Sequence, residues 1–111
     1  MKIYHNPACS KSRAALSHLQ DKYDDLEVIK YLDTPPTAEV ISDLMARSND
    51  SAEEFVRWAD AKKLGCEIGE TTDATRNAQL IANNPKIMQR PLVDTGEQVF
   101  ICRTGDVLAN L

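Results

Sequence analysis

No apolar run in this chain is long enough to enter a membrane. The longest, such as Val99–Cys102, fall far short of the ~18 residues that a spanning helix needs. The opening Met1-Lys2-Ile3-Tyr4-His5 lacks the extended apolar region of a secretory leader, so a soluble cytoplasmic protein is expected. A basic surplus is missing too, since 13 Lys and Arg stand against 17 Asp and Glu for a net charge of −4. Proteins that grip a phosphate backbone carry such a surplus, which argues against general nucleic-acid binding. There is no repeat, low-complexity tract or linker, and neither a P-loop nor a dinucleotide fingerprint. No His, Cys, Asp and Glu residues stand at metal-ligand spacing, so no metal is expected. Cysteine is scarce and odd in number: Cys9, Cys66 and Cys102 cannot make a complete disulfide framework. In a reducing compartment each is a free thiol, either a small buried hydrophobe or a nucleophile.

What is present is ordinary globular material. The 111 residues are 42% apolar and 27% charged, which suits one domain over 1–111 with a single core. Lys2–His5 and Glu27–Leu32 are rich in Ile, Val and Tyr and read as strands. Between them Ala15, Leu16, Leu19 and Tyr23 recur at helical spacing. Strand, helix and strand in so short a stretch form a βαβ unit with parallel strands. Pro35-Pro36 breaks the chain, and a helical insert over about 37–84 follows. In it, Thr37 caps a helix bearing Val40, Ile41, Leu44 and Met45, Ser51 and Glu54 form a capping box, and Asp73 caps a helix closed by Pro85. Leu92–Asp94 and Gln98–Cys102 flank Thr95-Gly96-Glu97 as a β-hairpin, and a short helix starts near Thr104. One mixed sheet with helices packed on it, an α/β fold, accounts for this order.

The chemistry concentrates in His5-Asn6-Pro7-Ala8-Cys9-Ser10-Lys11-Ser12-Arg13. This stretch leaves the carboxyl end of the first strand and opens the first helix, where α/β folds place ligands. A helix N-terminus offers unpaired N–H groups and about half a positive charge. Both favour a thiolate at Cys9 and an oxyanion beside it. At an ordinary pKa near 8.5, about 3% of a thiol is ionised at pH 7; at roughly 6, about 90% is. Ser12 and Arg13 follow Cys9 by three and four residues, a spacing that predicts a shared helix face. Thiolate, hydroxyl and guanidinium would then converge on one anion site.

His5-Asn6-Pro7-Ala8-Cys9 with Ser12-Arg13 resembles the start of the glutaredoxin-linked arsenate reductases, the ArsC family. The likeness continues through Tyr31-Leu32-Asp33-Thr34-Pro35-Pro36, the Arg57 segment, Asn84-Pro85, Gln89-Arg90-Pro91-Leu92-Val93 and Ile101-Cys102-Arg103. It implies a thioredoxin-like fold carrying an α-helical insert. It also implies that one cysteine attacks arsenate, that glutathione resolves the adduct as co-substrate with no bound cofactor, and that glutaredoxin supplies the electrons; a monomer is expected. Carried over residue by residue, the nucleophile is Cys9, the substrate-binding arginines are Arg57, Arg90 and Arg103, and the neighbouring histidine is His5. Planar guanidinium groups suit a tetrahedral oxyanion better than Lys does. The thioredoxin-like resemblance further suggests a cis Arg90–Pro91 peptide.

Other roles stay open. His5 could support the thiolate as an imidazolium, move protons, or be structural. Cys102 ends an apolar run and reads as core. Cys66 lies between Gly65 and Gly69 in a charged segment and reads as an exposed loop thiol, with a resolving role the lesser alternative. Within the same fold family, the Spx-type RNA polymerase-binding redox regulators use a Cys-x-x-Cys switch. Cys9-Ser10-Lys11-Ser12 lacks the second cysteine. A monothiol glutaredoxin-like oxidoreductase acting on glutathione mixed disulfides would need Cys9 but not the arginines.

Overall fold

The computed structural model describes residues 1–65, 73–102 and 105–111. Strand β1 (Lys2–His5), helix α1 (Ser10–Lys22) and strand β2 (Glu27–Lys30) form the expected βαβ unit. The strands are parallel, with His5 opposite Lys30. Helices α2 (Ala38–Ala46), α3 (Trp58–Lys63) and α4 (Ala74–Asn83) follow, with single 3₁₀ turns at Ala52–Phe55 and Pro85–Ile87. Strands β3 (Leu92–Asp94) and β4 (Val99–Ile101) and helix α5 (Gly105–Ala109) complete the described chain. The sheet order is β2-β1-β3-β4, and β3 lies antiparallel to both neighbours.

Period-two alternation sorts the strand residues onto two faces. Ile3 and Val93 pack with Ala15 and Leu19 of α1 and with Cys102, while Val107 and Leu108 of α5 lean on the same cluster. Tyr4, Leu92 and Ile101 face the other way, into a larger cluster with Ile41 and Leu44 of α2, Ala78 and Ile81 of α4, and Phe55, Ile87 and Met88. The sheet is thus sandwiched between α1 and α5 on one side and the insert on the other. Burying each Leu, Ile or Phe contributes about 1.5–3 kcal/mol.

The insert's helices start where side-chain caps are available. Thr37 accepts the Val40 N–H at 3.2 Å, and Asp73 accepts the Arg76 N–H at 3.2 Å. Ser51 and Glu54 form their capping box, but the turn they open is 3₁₀. Helix α3, which periodicity did not signal, is only six residues long. In the β3–β4 hairpin Gly96 sits at φ +98, a conformation open to glycine and strained for other residues. Its N–H donates to Asp94 Oδ1 at 2.8 Å.

Candidate active site

Beyond β1 the chain makes a tight turn. The Asn6 carbonyl accepts the Cys9 N–H at 3.0 Å, and Asn6 Oδ1 accepts the Ala8 N–H at 3.0 Å. The turn delivers Cys9 as the N-cap residue of α1, in extended conformation at φ −96 and ψ 122. Its carbonyl takes the first helical hydrogen bond from the Arg13 N–H, and its half-buried thiol is free. Partial burial pushes that thiol up, but the backbone N–H groups of Ser12 and Lys11 and the Arg90 guanidinium outweigh it, so the Cys9 pKa lies below its ordinary value. The cause is the one expected of a helix N-terminus, strengthened by an arginine remote in sequence.

The structure places Ser12 and Arg13 otherwise than helical spacing suggests. Cys9 has extended rather than helical backbone angles, so the i+3 and i+4 rule does not carry across the cap. Ser12 is buried, and its Oγ accepts the Asn6 N–H at 3.0 Å while bonding to His5 Nδ1 at 2.7 Å. Its backbone N–H serves Cys9; its hydroxyl braces the turn. Arg13 is exposed and donates to the Pro7 carbonyl at 2.9 Å, clamping the outside of the same turn. His5 is buried, and its pKa is lowered by burial and then by Lys30 and Arg13, against the raising effect of Ser12. A neutral ring suits this position: Ser12 Oγ, already accepting from Asn6, can donate its proton to Nδ1 in one tautomer or accept from it in the other.

Arg57 and Arg90 reach Cys9 by a different route. The Arg57 N–H donates to the Ile87 carbonyl at 2.6 Å, and the Gln89 N–H donates to the Phe55 carbonyl at 2.8 Å. Val56 and Met88 form an antiparallel bridge between these segments. This backbone pairing puts Arg57 opposite Ile87 and brings the segment leading to Gln89 and Arg90 alongside; with Cys9, Ser10, Lys11 and Gln89 the two arginines line a cleft of about 340 Å³. No carboxylate lines it. The nearest acidic partner of Arg57 is Asp60, 3.3 Å from Nε. Arg90 donates from Nη1 to the Lys86 carbonyl at 3.2 Å, and the Arg90–Pro91 peptide is cis. The cleft therefore pairs a thiol of lowered pKa with three cations, a setting made for nucleophilic attack on an oxyanion.

Lys11 and Gln89 are cleft residues that the motif reading did not single out. Cys102 is 3% exposed; burial, then Asp50, pushes its thiol up to about 12. It packs in the α1-side cluster as core. Arg103 and Cys66 lie outside the described residues.

A mixed α/β sheet with a cysteine at the first helix N-terminus, sharing a cleft with Arg57 of the insert and Arg90 before β3, makes a thiol-bearing cationic site on a thioredoxin-like fold. Comparison with known proteins makes this specific. The ArsC family matches residues 4–111, and the chain belongs to that family. It is 41% identical over 96 residues to an arsenate reductase of Neisseria meningitidis, covering 84% of this chain and 81% of that protein. An arsenate reductase of Escherichia coli is 31% identical over 111 residues, covering 98% of this chain and 78% of that protein. Among solved structures, arsenate reductase from Vibrio cholerae superposes with a TM-score of 0.81 at 28% identity, covering 99% of this chain and 97% of that one.

Proposed function

We infer that the chain is an arsenate reductase in which the Cys9 thiolate attacks arsenate. The observation that carries this is the single cleft holding Cys9, Arg57, Arg90 and Lys11 with no carboxylate among its lining residues. A tetrahedral anion enters such a site with its charge matched. The arginines then neutralise charge on oxygen as the As–S bond forms and an As–O oxygen leaves as water. Arg103, placed by the family likeness, is a further ligand in this proposal.

Reduction of arsenate to arsenite takes two electrons, which two thiols supply as they leave joined in one disulfide. Cys102 is too deeply buried to be the second thiol. Glutathione fills that role, and glutaredoxin returns Cys9 from the mixed disulfide to the thiol. Supporting this, a second cleft of about 380 Å³ shares Arg90 with the first and is lined by Asn6, Ala8, Leu32, Lys63, Leu64 and Lys86, with Asp60. Its lysines suit the carboxylates of an anionic thiol peptide, and its leucines suit the peptide's apolar parts. A cytoplasmic location, where glutathione is reduced and abundant, belongs to the same proposal; no helix among the described residues is long and apolar enough to cross a membrane.

The test is a coupled NADPH-consumption assay with glutathione, glutaredoxin and glutathione reductase, comparing arsenate with a glutathione mixed disulfide. Arsenate-dependent turnover is expected, abolished in Cys9→Ser and largely kept in a Cys66→Ser, Cys102→Ser double variant. Turnover of the mixed disulfide alone would instead assign a glutaredoxin-like activity. Loss of turnover in the double variant would assign an internal resolving cysteine.

A further inference from the structure

When the Cys9 sulfur bonds to arsenic, the hydroxyl that leaves must gain a proton to depart as water. The cleft offers few groups that can give one. Its described lining is Cys9, Ser10, Lys11, Arg57, Gln89 and Arg90. Cys9 is the nucleophile and has lost its proton before it attacks. Guanidinium groups, those of Arg57 and Arg90, hold charge but do not release a proton in proteins. A serine hydroxyl and a glutamine amide hydrogen-bond without ionising near neutral pH. An ammonium both carries charge and can hand over a proton, and in this cleft only Lys11 has one.

Other titratable groups nearby are engaged elsewhere. His5 is buried, bonds to Ser12 Oγ at 2.7 Å and does not line the cleft. Lys63, Lys86 and Asp60 line the neighbouring cleft instead, and Asp60 stands 3.3 Å from Arg57 Nε. Lys11 is exposed, is the second residue of α1, and forms no ion pair with a described carboxylate. No acidic partner therefore draws its side chain away from the cleft.

We propose that Lys11 is the general acid of the first chemical step, its ammonium donating a proton to the hydroxyl that leaves arsenate as the Cys9 sulfur attacks. The As–S bond forms, one As–O bond breaks and arsenic stays pentavalent. The thiolate, the dihydrogen arsenate anion and the Lys11 proton become a singly charged Cys9 thioarsenate and water. Lys11 is left as the amine, and it regains a proton as the glutathione thiol gives one up to attack the adduct. The proposal rests on the arsenate reading above and extends it from holding the anion to supplying the proton. The division of labour follows from chemistry: the arginines stay charged throughout, and the lysine is the cation that can cycle.

Lys11→Arg keeps the charge and removes the transferable proton, whereas Lys11→Ala removes both. The experiment measures kcat/KM for arsenate in the coupled assay and, after equilibration with arsenate and no added thiol, the protection of Cys9 from iodoacetamide. Both variants should lose about tenfold or more in kcat/KM, since general acid catalysis contributes roughly 100-fold or more and water remains as a poorer donor. Arsenate should protect Cys9 of Lys11→Arg at nearly the wild-type concentration. Ethylammonium added to Lys11→Ala should restore turnover, and guanidinium at the same concentration should not. Wild-type kinetics in Lys11→Arg, equal rescue by the two ions, or no rescue by ethylammonium each overturns the proposal. Weaker protection in Lys11→Arg, or a shifted pH profile of its Cys9 alkylation, also overturns it, because Lys11 would then act through binding or through the thiol. Absence of arsenate turnover in the wild-type chain overturns the arsenate reading and this extension with it.

Discussion

The two ends of the sheet treat arginine in opposite ways. At the end where β1 begins, Arg47 donates from Nη1 to Asp94 Oδ1 at 2.6 Å, and from Nη2 to Asp94 Oδ2 at 2.9 Å and Asp43 Oδ2 at 2.8 Å. Asp94 is correspondingly held below the usual carboxylate range, first by Arg47 and, against burial, by the Gly96 N–H. Donors and acceptors balance there. At the end where β1 finishes, Lys11, Arg57 and Arg90 line a cleft without a carboxylate; Arg57 keeps a single ion pair to Asp60 at 3.3 Å, and Arg90 donates to the Lys86 carbonyl at 3.2 Å. Residue type alone does not distinguish a structural arginine from one awaiting an anion; the local supply of acceptors does.

The sharpest way to probe this contrast is with the thiols, because Cys9 and Cys102 sit in surroundings as different as those of the arginines. Cys9 is partly exposed with a lowered pKa, and Cys102 is buried with its pKa pushed up to about 12. At pH 7 Cys9 is expected to alkylate at least ~1,000-fold faster, since thiolate fraction alone falls about tenfold per pKa unit. Mass mapping of iodoacetamide labelling against pH checks this; comparable rates would break the contrast.

A direct exchange of fates comes next. Arg90→Ala and Arg57→Ala should each lower arsenate kcat/KM by ~10-fold or more, because a charge-assisted bond is worth about 1.5–3 kcal/mol. Their thermal midpoints should change little. Arg47→Ala should do the reverse, leaving kcat/KM unchanged while costing about 2 kcal/mol of stability as Asp94 loses its partner. Denaturant unfolding and steady-state kinetics on the three variants decide the matter.

The smallest effect concerns His5. Its folded pKa is lowered from 6.5, so the unfolded chain binds a proton that the folded chain resists. This contribution to stability is complete above pH 6.5 and is lost as pH falls through the lower folded value. Thermal midpoints between pH 7 and pH 5 should fall more steeply in the wild-type chain than in His5→Asn.

The sequence carried the βαβ unit, the hairpin and the two longer insert helices because each has a local signal: alternation, helical stripe, cap or turn glycine. Cys9 was legible for the same reason, since a helix N-terminus is written in the residues around it. Arg13 departs from the helical-spacing expectation because Cys9, the N-cap residue, is extended rather than helical. His5 and Ser12 were placed near the thiol, yet their bond to one another depends on how the turn folds back. Arg57 could be put beside Cys9 only by family likeness, because its position rests on the Val56–Met88 bridge, and pairing between distant segments leaves no periodic trace.

That bridge has one more consequence. The Arg57 N–H to Ile87 carbonyl and Gln89 N–H to Phe55 carbonyl bonds are made entirely by main chain, so any substitution other than proline at 57 or 89 leaves their donors and acceptors in place. The placement of the Arg57 segment against the chain just before Arg90 is thereby inherited from peptide geometry rather than from the identity of neighbouring residues. Surface positions around the insert are free to drift while the spacing that measures a tetrahedral anion stays constant. The insert carries one jaw of a caliper at Arg57, the chain entering β3 carries the other at Arg90, and backbone holds the two segments together.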